Sequence, residues 1–240
     1  MKYGVHPSPE LNEIFRRRPF QGQDPEQSRV LILGNDANYS ADISAHDFFR
    51  RIVEYHADGI RFWRKRGTHH PFLLPEYPFD KRIGGVRYHS NFAKMEFSAR
   101  NAPHFSFVEL LHVPTIGNTG SDQDLFFRLL DRKHLQWLEH LIFSPKPKFV
   151  LVNQTLVRMI ERISARHNVL MQLSVVLRGT KPGGPTLEKN GTAICNGYSF
   201  SHSISNAYLS DLRQKIEGFI AAKASSVVSG CSDTDRNAYE

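Results

Sequence analysis

The chain has 240 residues, with 31 Lys and Arg against 24 Asp and Glu, 12 His and two Cys, and it is 40% hydrophobic and 23% charged. That length and apolar fraction exclude wholesale disorder and allow one sizeable core, and with no run of about 18 apolar residues no membrane span is expected. Cys195 and Cys231 are too few for a four-cysteine zinc site or a thiolate-ligated iron–sulfur cluster and make no secreted disulfide framework, so a reducing cytoplasm is the expected compartment.

Residues 1–20 carry charge throughout and hold no apolar stretch, so no export leader is expected. Residues 29–33 (Arg-Val-Leu-Ile-Leu) are a short β-branched apolar run that stops at the turn-rich Gly34-Asn35-Asp36-Ala37-Asn38, which predicts a buried strand opening into a loop. Ser44-Ala45-His46-Asp47 resembles a helix start ahead of Phe48, Phe49, Ile52 and Val53 at helical spacing. Residues 105–111 predict a second strand that stops at His112-Val113-Pro114-Thr115. Helices are expected over 124–130 and 133–143, a third strand over 148–152, and a helix from 154 to 165. Residues 173–177 are β-rich and predict the first arm of a hairpin closed near 179–184. Its return arm, 192–200, would deliver Ser201-His202-Ser203 ahead of a helix from 206 to 222.

Strand–helix alternation of this kind predicts a three-layer α/β/α sandwich with a central, mostly parallel sheet. The expected organisation is a single α/β domain over 1–224, with a basic, aromatic-rich insertion at about 50–100 and a disordered tail over 225–240. In open α/β sheets ligands bind outside the carboxyl ends of the strands. The three clearest strand ends deliver Asp36, His112 and His202 there.

The Asp36 loop is neither a dinucleotide nor a P-loop fingerprint. It offers an acid to position or deprotonate a water, amides at Asn35 and Asn38 to bind a ligand, and Tyr39 to stack on one. An alternative is that Asp36 simply caps the following turn. At the other end, His202 lies between hydroxyls before a helix, where an imidazole and backbone N–H groups favour a developing anion. The competing reading makes Ser205 or Asn206 an ordinary helix cap. His69-His70 comes with no third ligand at a recognisable spacing, so no metal is expected.

Taken together, the two ends resemble the uracil-DNA glycosylase superfamily. Leu31-Ile32-Leu33-Gly34-Asn35-Asp36-Ala37 is similar to its water-activating motif, and Ser201-His202-Ser203-Ile204-Ser205 to its terminal His-Pro-Ser-Pro loop. Residues 109–118, in which an apolar strand ends in a Pro-Thr turn, resemble the corresponding segment of mismatch-specific uracil/thymine glycosylases. Ala37, Ser203 and Ser205 stand where prolines are usual, and Asn206 stands near the position of an apolar wedge. Asn38 falls near the position of the methyl-excluding tyrosine, with Tyr39 one place later, and His112 near that of a base-reading asparagine.

The resemblance implies a uracil-DNA glycosylase-like fold without metal, iron–sulfur cluster or other cofactor. It also implies a monomer that cleaves the N-glycosidic bond of a flipped uracil or other deaminated or mismatched base in DNA. Asp36 and His202 would be catalytic. Gly34, Asn35, Asn38, Tyr39, Phe49, His112, Asn118, Ser203 and Ser205 would contact the substrate, with Phe49 stacking on the base unless it belongs to the core.

Charge locates the expected polyanion. Residues 50–100 hold 11 basic against five acidic residues, so that this segment carries +6 of the total +7, and nine of the 27 aromatics. Arg61, Arg64, Lys65 and Arg66, interleaved with Phe62 and Trp63, are the expected DNA contacts together with Asn206. The competing reading makes the aromatics a small core of their own. Two other functions fit the residues: a catalytically silent nucleic-acid-binding module of the same fold, and an N-glycosidase of free nucleosides or nucleotides.

Overall fold

A computed structural model describes residues 2–80 and 84–229, side chains at 84 and 223–229 excepted. Three elements precede the first predicted strand: β1 (Gly4–Val5), α1 (Pro9–Arg17) and β2 (Phe20–Gly22). β3 (Val30–Gly34) leads through β4 (Ala37–Asn38) to α2 (Phe49–Ala57), α3 (Gly59–Arg66) and α4 (Gly84–Ala93). β5 (Phe105–Glu109) and β6 (Pro114–Ile116) are followed by α5 (Gln123–Leu129) and α6 (Arg132–Ile142). Then come β7 (Phe149–Asn153), α7 (Gln154–His167), α8 (Met171–Leu177), β8 (Leu187–Lys189), β9 (Thr192–Gly197) and α9 (Asn206–Ser229).

The apolar runs form a six-stranded sheet in the order β2-β5-β3-β7-β9-β8. β5, β3, β7 and β9 are parallel, and the edge strands β2 and β8 are antiparallel to their neighbours. Because side chains alternate across a strand, each run feeds two cores. Leu31, Leu33, Val108, Val150, Val152 and Ile194 face the helices α5–α8. Val30, Ile32, Phe105, Phe107, Phe149 and Leu151 face α3, α4 and α9 through Trp63, Phe92, Leu209 and Leu212. Helices therefore cover both faces of a mostly parallel sheet, as expected. Among the described residues no helix is long and apolar enough to cross a membrane.

The described residues of the 50–100 segment contribute to one of these covering layers, together with α9. Tyr55, Phe62 and Phe72 are buried with Phe15 and Tyr39, while Trp63, Phe92 and Phe97 pack directly on the sheet. Most of the segment's aromatics are thus core, shared with the sheet and with α1 rather than a small core of their own, while Phe79 and Tyr88 are half-buried. α3 is held close by a backbone contact: a Cβ on Gly59 would lie 2.8 Å from the Cα of Gly22. The Asp58 side chain caps its amino end, and Gly67 at φ +70° ends it.

Several predicted boundaries move. Ser44 lies in a short 3-10 turn, Ile43–Ala45, and α2 begins only at Phe49. Residues 173–177 are helical rather than a hairpin arm, and the antiparallel partner of β9 is β8. Leu173 and Leu177, four apart, are fully buried while Val175 is exposed, and the Glu139 carboxylate accepts from the N–H groups of Gln172 and Leu173. That tertiary cap overrides β-branched preference. β9 ends at Gly197 rather than 200. α9 continues through Ser229, past the expected end at 222 and into the segment expected to be disordered; residues 230–240 lie outside the described residues.

Candidate functional site

The chain leaves β3 to build β5 on one side and later resumes with β7 on the other, so the loops after β3 and β7 diverge. A crevice at the carboxyl ends is the consequence. Here it is a cavity of about 690 Å³. Its wall is drawn from the Gly34–Tyr39 loop, Glu109, the 117–120 turn, Asn153, the α4 residues Tyr88 and His89, and Ser201 and His202. The Asp36 and His202 loops, far apart in sequence, both contribute to its wall.

A second, three-stranded sheet positions Asp36. β6 pairs antiparallel with β1 and parallel with β4, which gathers three hydroxyls around the carboxylate. The Tyr3 hydroxyl donates to Oδ2 at 3.1 Å, Thr115 Oγ1 to the same oxygen at 2.5 Å, and Thr119 Oγ1 to Oδ1 at 2.9 Å. Burial pushes the Asp36 carboxyl above the ordinary aspartate range, and the three hydroxyls offset that rise only in part. Burial and the neighbouring carboxylate push the Tyr3 phenol far up, so it stays a donor. Asn38 donates from Nδ2 to the Gly117 carbonyl at 2.6 Å and to Thr115 Oγ1 at 3.3 Å, tying the loop to β6.

Glu109, the last residue of β5, brings a second carboxyl into the cavity. It pairs in register with Gly34, and its carboxyl occupies the space a side chain there would take: a Cβ on Gly34 would lie 1.8 Å from Glu109 Oε2, so any other residue would displace this carboxyl. Among the described residues no group donates to its side chain. Burial, followed by the Asp36 charge, pushes it up to about 8.

The inner wall is a layer of neutral imidazoles. His70 and His89 stack with ring centroids 3.5 Å apart at 6°, and His89 Nδ1 lies 3.0 Å from His69 Nε2. The Phe72 N–H donates to His70 Nδ1, so the His70 proton sits on Nε2 and is donated to Gln21 Oε1 at 3.1 Å. Burial depresses all three histidines. Among the described residues no group of three or more His, Cys, Asp or Glu comes together in a way that would hold a metal ion.

Of the residues expected from sequence, Gly34, Asn35, Asp36, Asn38, Tyr39, Asn118 and His202 line the cavity. The Tyr39 hydroxyl turns away to His56 Nε2 at 2.9 Å, so only its ring serves the wall. The Asn118 carboxamide oxygen caps the 3-10 turn through the Gly120 N–H. His202 is exposed at the mouth, on a loop that Asn91 holds by donating to the carbonyls of Phe200 and His202.

Other expected residues lie away from the cavity. Phe49 is buried in the core, and the cavity takes its aromatic faces from Tyr39, Phe72 and Tyr88. His112 is off the wall: beyond β5 the chain turns it toward α6, with its ring 5.9 Å from that of His134. Ser203, Ser205 and Asn206 are exposed outside the cavity, and Ser205 caps α9 by accepting from the Tyr208 N–H. The expected DNA contacts Arg61, Arg64, Lys65 and Arg66 lie on α3, outside the cavity, and among the described residues no Lys or Arg lines it. Lys65 and Arg66 are spent on Glu54, at 3.1 and 2.7 Å, whereas Arg61 and Arg64 are exposed.

Tyr3, Thr119, Glu109, Gln21 and His89 were not singled out by sequence, Thr115 was read only as part of a turn, and His70 was weighed only as a metal ligand. Only Glu109, a lone acid ending an apolar strand, carried a local signal. No family model, curated protein or solved structure matches this chain.

Proposed function

We propose that the protein is a DNA glycosylase-like hydrolase of the uracil-DNA glycosylase type, cleaving the N-glycosidic bond of a flipped uracil or other deaminated or mismatched base. The observation that carries this reading is Asp36, a carboxylate held by three hydroxyls in a cavity at the carboxyl ends of the parallel strands, with His202 at the mouth. Its place at the end of the first parallel strand supports the same reading. A base inside a duplex cannot reach such a cavity, so the nucleotide must be flipped at a cost of about a few kcal/mol, least for a mispair. As the glycosidic bond stretches, Asp36 positions water and stabilises the sugar cation, and His202 donates to the base oxygen. The reading carries with it a monomeric, cytoplasmic enzyme without a cofactor.

The wall favours a second reading. With no Lys or Arg on it among the described residues, phosphate contacts must come from outside the cavity, and an uncharged free nucleoside fits it equally well. The test is release of free base from oligonucleotides carrying uracil, G·U, G·T, hypoxanthine or xanthine, and from the matching nucleosides. Asp36→Asn is expected to lower release on the order of 100-fold and to leave DNA binding intact; wild-type rates in that variant would remove Asp36 from the chemistry. Competition by nucleosides as strong as by oligonucleotides selects the second reading. DNA binding with no base released marks a catalytically silent module.

A further inference from the structure

We propose that Glu109 is the general acid of this cavity, handing a proton to the departing base while Asp36 takes one from the attacking water. The inference rests on the glycosidic-hydrolysis reading and adds to it a residue and a division of labour.

Two carboxyls share one cavity, yet their surroundings differ in kind. Asp36 accepts from Tyr3, Thr115 and Thr119, and hydrogen bonds to the charged form keep a carboxylate ionised. Glu109 has no donor among the described residues. Its carboxyl lies over the bare Cα of Gly34, where the missing side chain leaves room for it, and it opens into the same cavity. Two acids placed close together do not both ionise at neutral pH, and the one without donors keeps the proton. The pair titrates as a unit, its upper step belonging mainly to Glu109.

The groups packed around Glu109 reinforce this. The phenols of Tyr39, Tyr55 on α2 and Tyr88 on α4 are pushed up, first by burial, and stay neutral, so none supplies a charge. His70 and His89, on the inner wall, are held neutral by burial. From α6, His134 Nε2 binds the Glu109 backbone carbonyl at 2.8 Å rather than its carboxyl. No cation among the described residues of the wall draws the proton off.

The step balances without any co-reactant. The C1′–N bond breaks with its electrons passing to the base, and the Glu109 proton follows them onto the base. Water oxygen bonds to C1′ and releases a proton to Asp36. Transfer of that proton through solvent from Asp36 to Glu109 restores the starting state. His202, at the mouth, keeps a hydrogen-bonding part.

The experiment compares Glu109→Gln and Glu109→Asp with wild type on oligonucleotides carrying uracil or 5-fluorouracil, whose anion leaves more readily without protonation. Glu109→Gln is expected to lose on the order of 100-fold on uracil and far less on 5-fluorouracil, with KM little changed. Glu109→Asp restores part of the loss, as a merely structural role would not predict. The alkaline limb of the wild-type pH profile, falling near 8, disappears in Glu109→Gln. In parallel, the Glu109 carboxyl is titrated by carbon-13 NMR in the substrate-free protein. If wild type releases no base, the glycosidic reading fails and takes this inference with it. An active wild type matched by Glu109→Gln, with the same uracil to fluorouracil ratio, overturns the inference alone. So does a carboxyl signal already ionised at pH 6.

Discussion

Replacing Glu109 by Gln changes the pH dependence of folding, independently of any activity. The folded-state carboxyl stands near 8 against an ordinary value of 4.5. A group whose proton affinity rises on folding stabilises the fold below its unfolded value and loses that contribution as pH rises through the folded one. At about 1.4 kcal/mol for each factor of ten in proton affinity, the interval sets a ceiling of about 5 kcal/mol. The carboxyl faces an open cavity that admits water, which reduces the expected effect to about 2 kcal/mol.

Wild-type stability minus that of Glu109→Gln is therefore flat below about pH 4, falls between 4.5 and 8, and levels off above. The buried histidines act in the opposite direction. His56 and His69 are lowered to about 3 by burial, so their contribution is present above 6.5 and lost as pH falls toward 3. Both proteins contain them, and the difference curve cancels them. Urea unfolding at half-unit pH intervals from 4 to 9.5 provides the measurement. Parallel curves across 4.5–8 would refute the claim that the fold raises the proton affinity of the Glu109 carboxyl.

Thr115→Val removes the shortest donor to Asp36 while nearly preserving volume. The loss of a hydrogen bond to a charged group, about 1.5–3 kcal/mol, raises the Asp36 carboxyl and moves the acid limb of base release to higher pH by about one unit or more; an unmoved limb contradicts it. In α3, Arg61→Ala with Arg64→Ala is expected to weaken DNA binding and to flatten the slope of log affinity against log salt by about 2. Lys65→Ala changes the slope less, because that ammonium already serves Glu54. Equal slopes in all variants take α3 off the DNA surface.

Much of the fold was legible because the signals are local and strong. The apolar stretches around 30–34, 105–109, 149–153 and 192–197 need no tertiary information to be read as buried strands. Asp122, Asp131 and Asn153 each cap the helix that follows. Residues 173–177 misled because LSVVL carries β-branched preference, and only a carboxylate more than thirty residues earlier, Glu139, supplies the helical cap. The Arg50–Arg100 stretch was ambiguous for a related reason. Composition cannot distinguish an aromatic that stacks on a base from one that packs on a sheet.

Sequence by itself determined an α/β protein whose parallel strands end at an acid loop and a histidine loop, because strand periodicity and the rule for strand ends act over a handful of residues. Tertiary structure alone decided what surrounds the acid. β1, β4 and β6 are two or three residues long, too short to carry a pattern, yet their pairing brings Tyr3, Thr115 and Thr119 to Asp36. The same holds for Glu109, whose carboxyl has no donor among the described residues and lies in the space that Gly34 leaves open. Such properties belong to a cavity, and a cavity exists only once distant segments have closed around it.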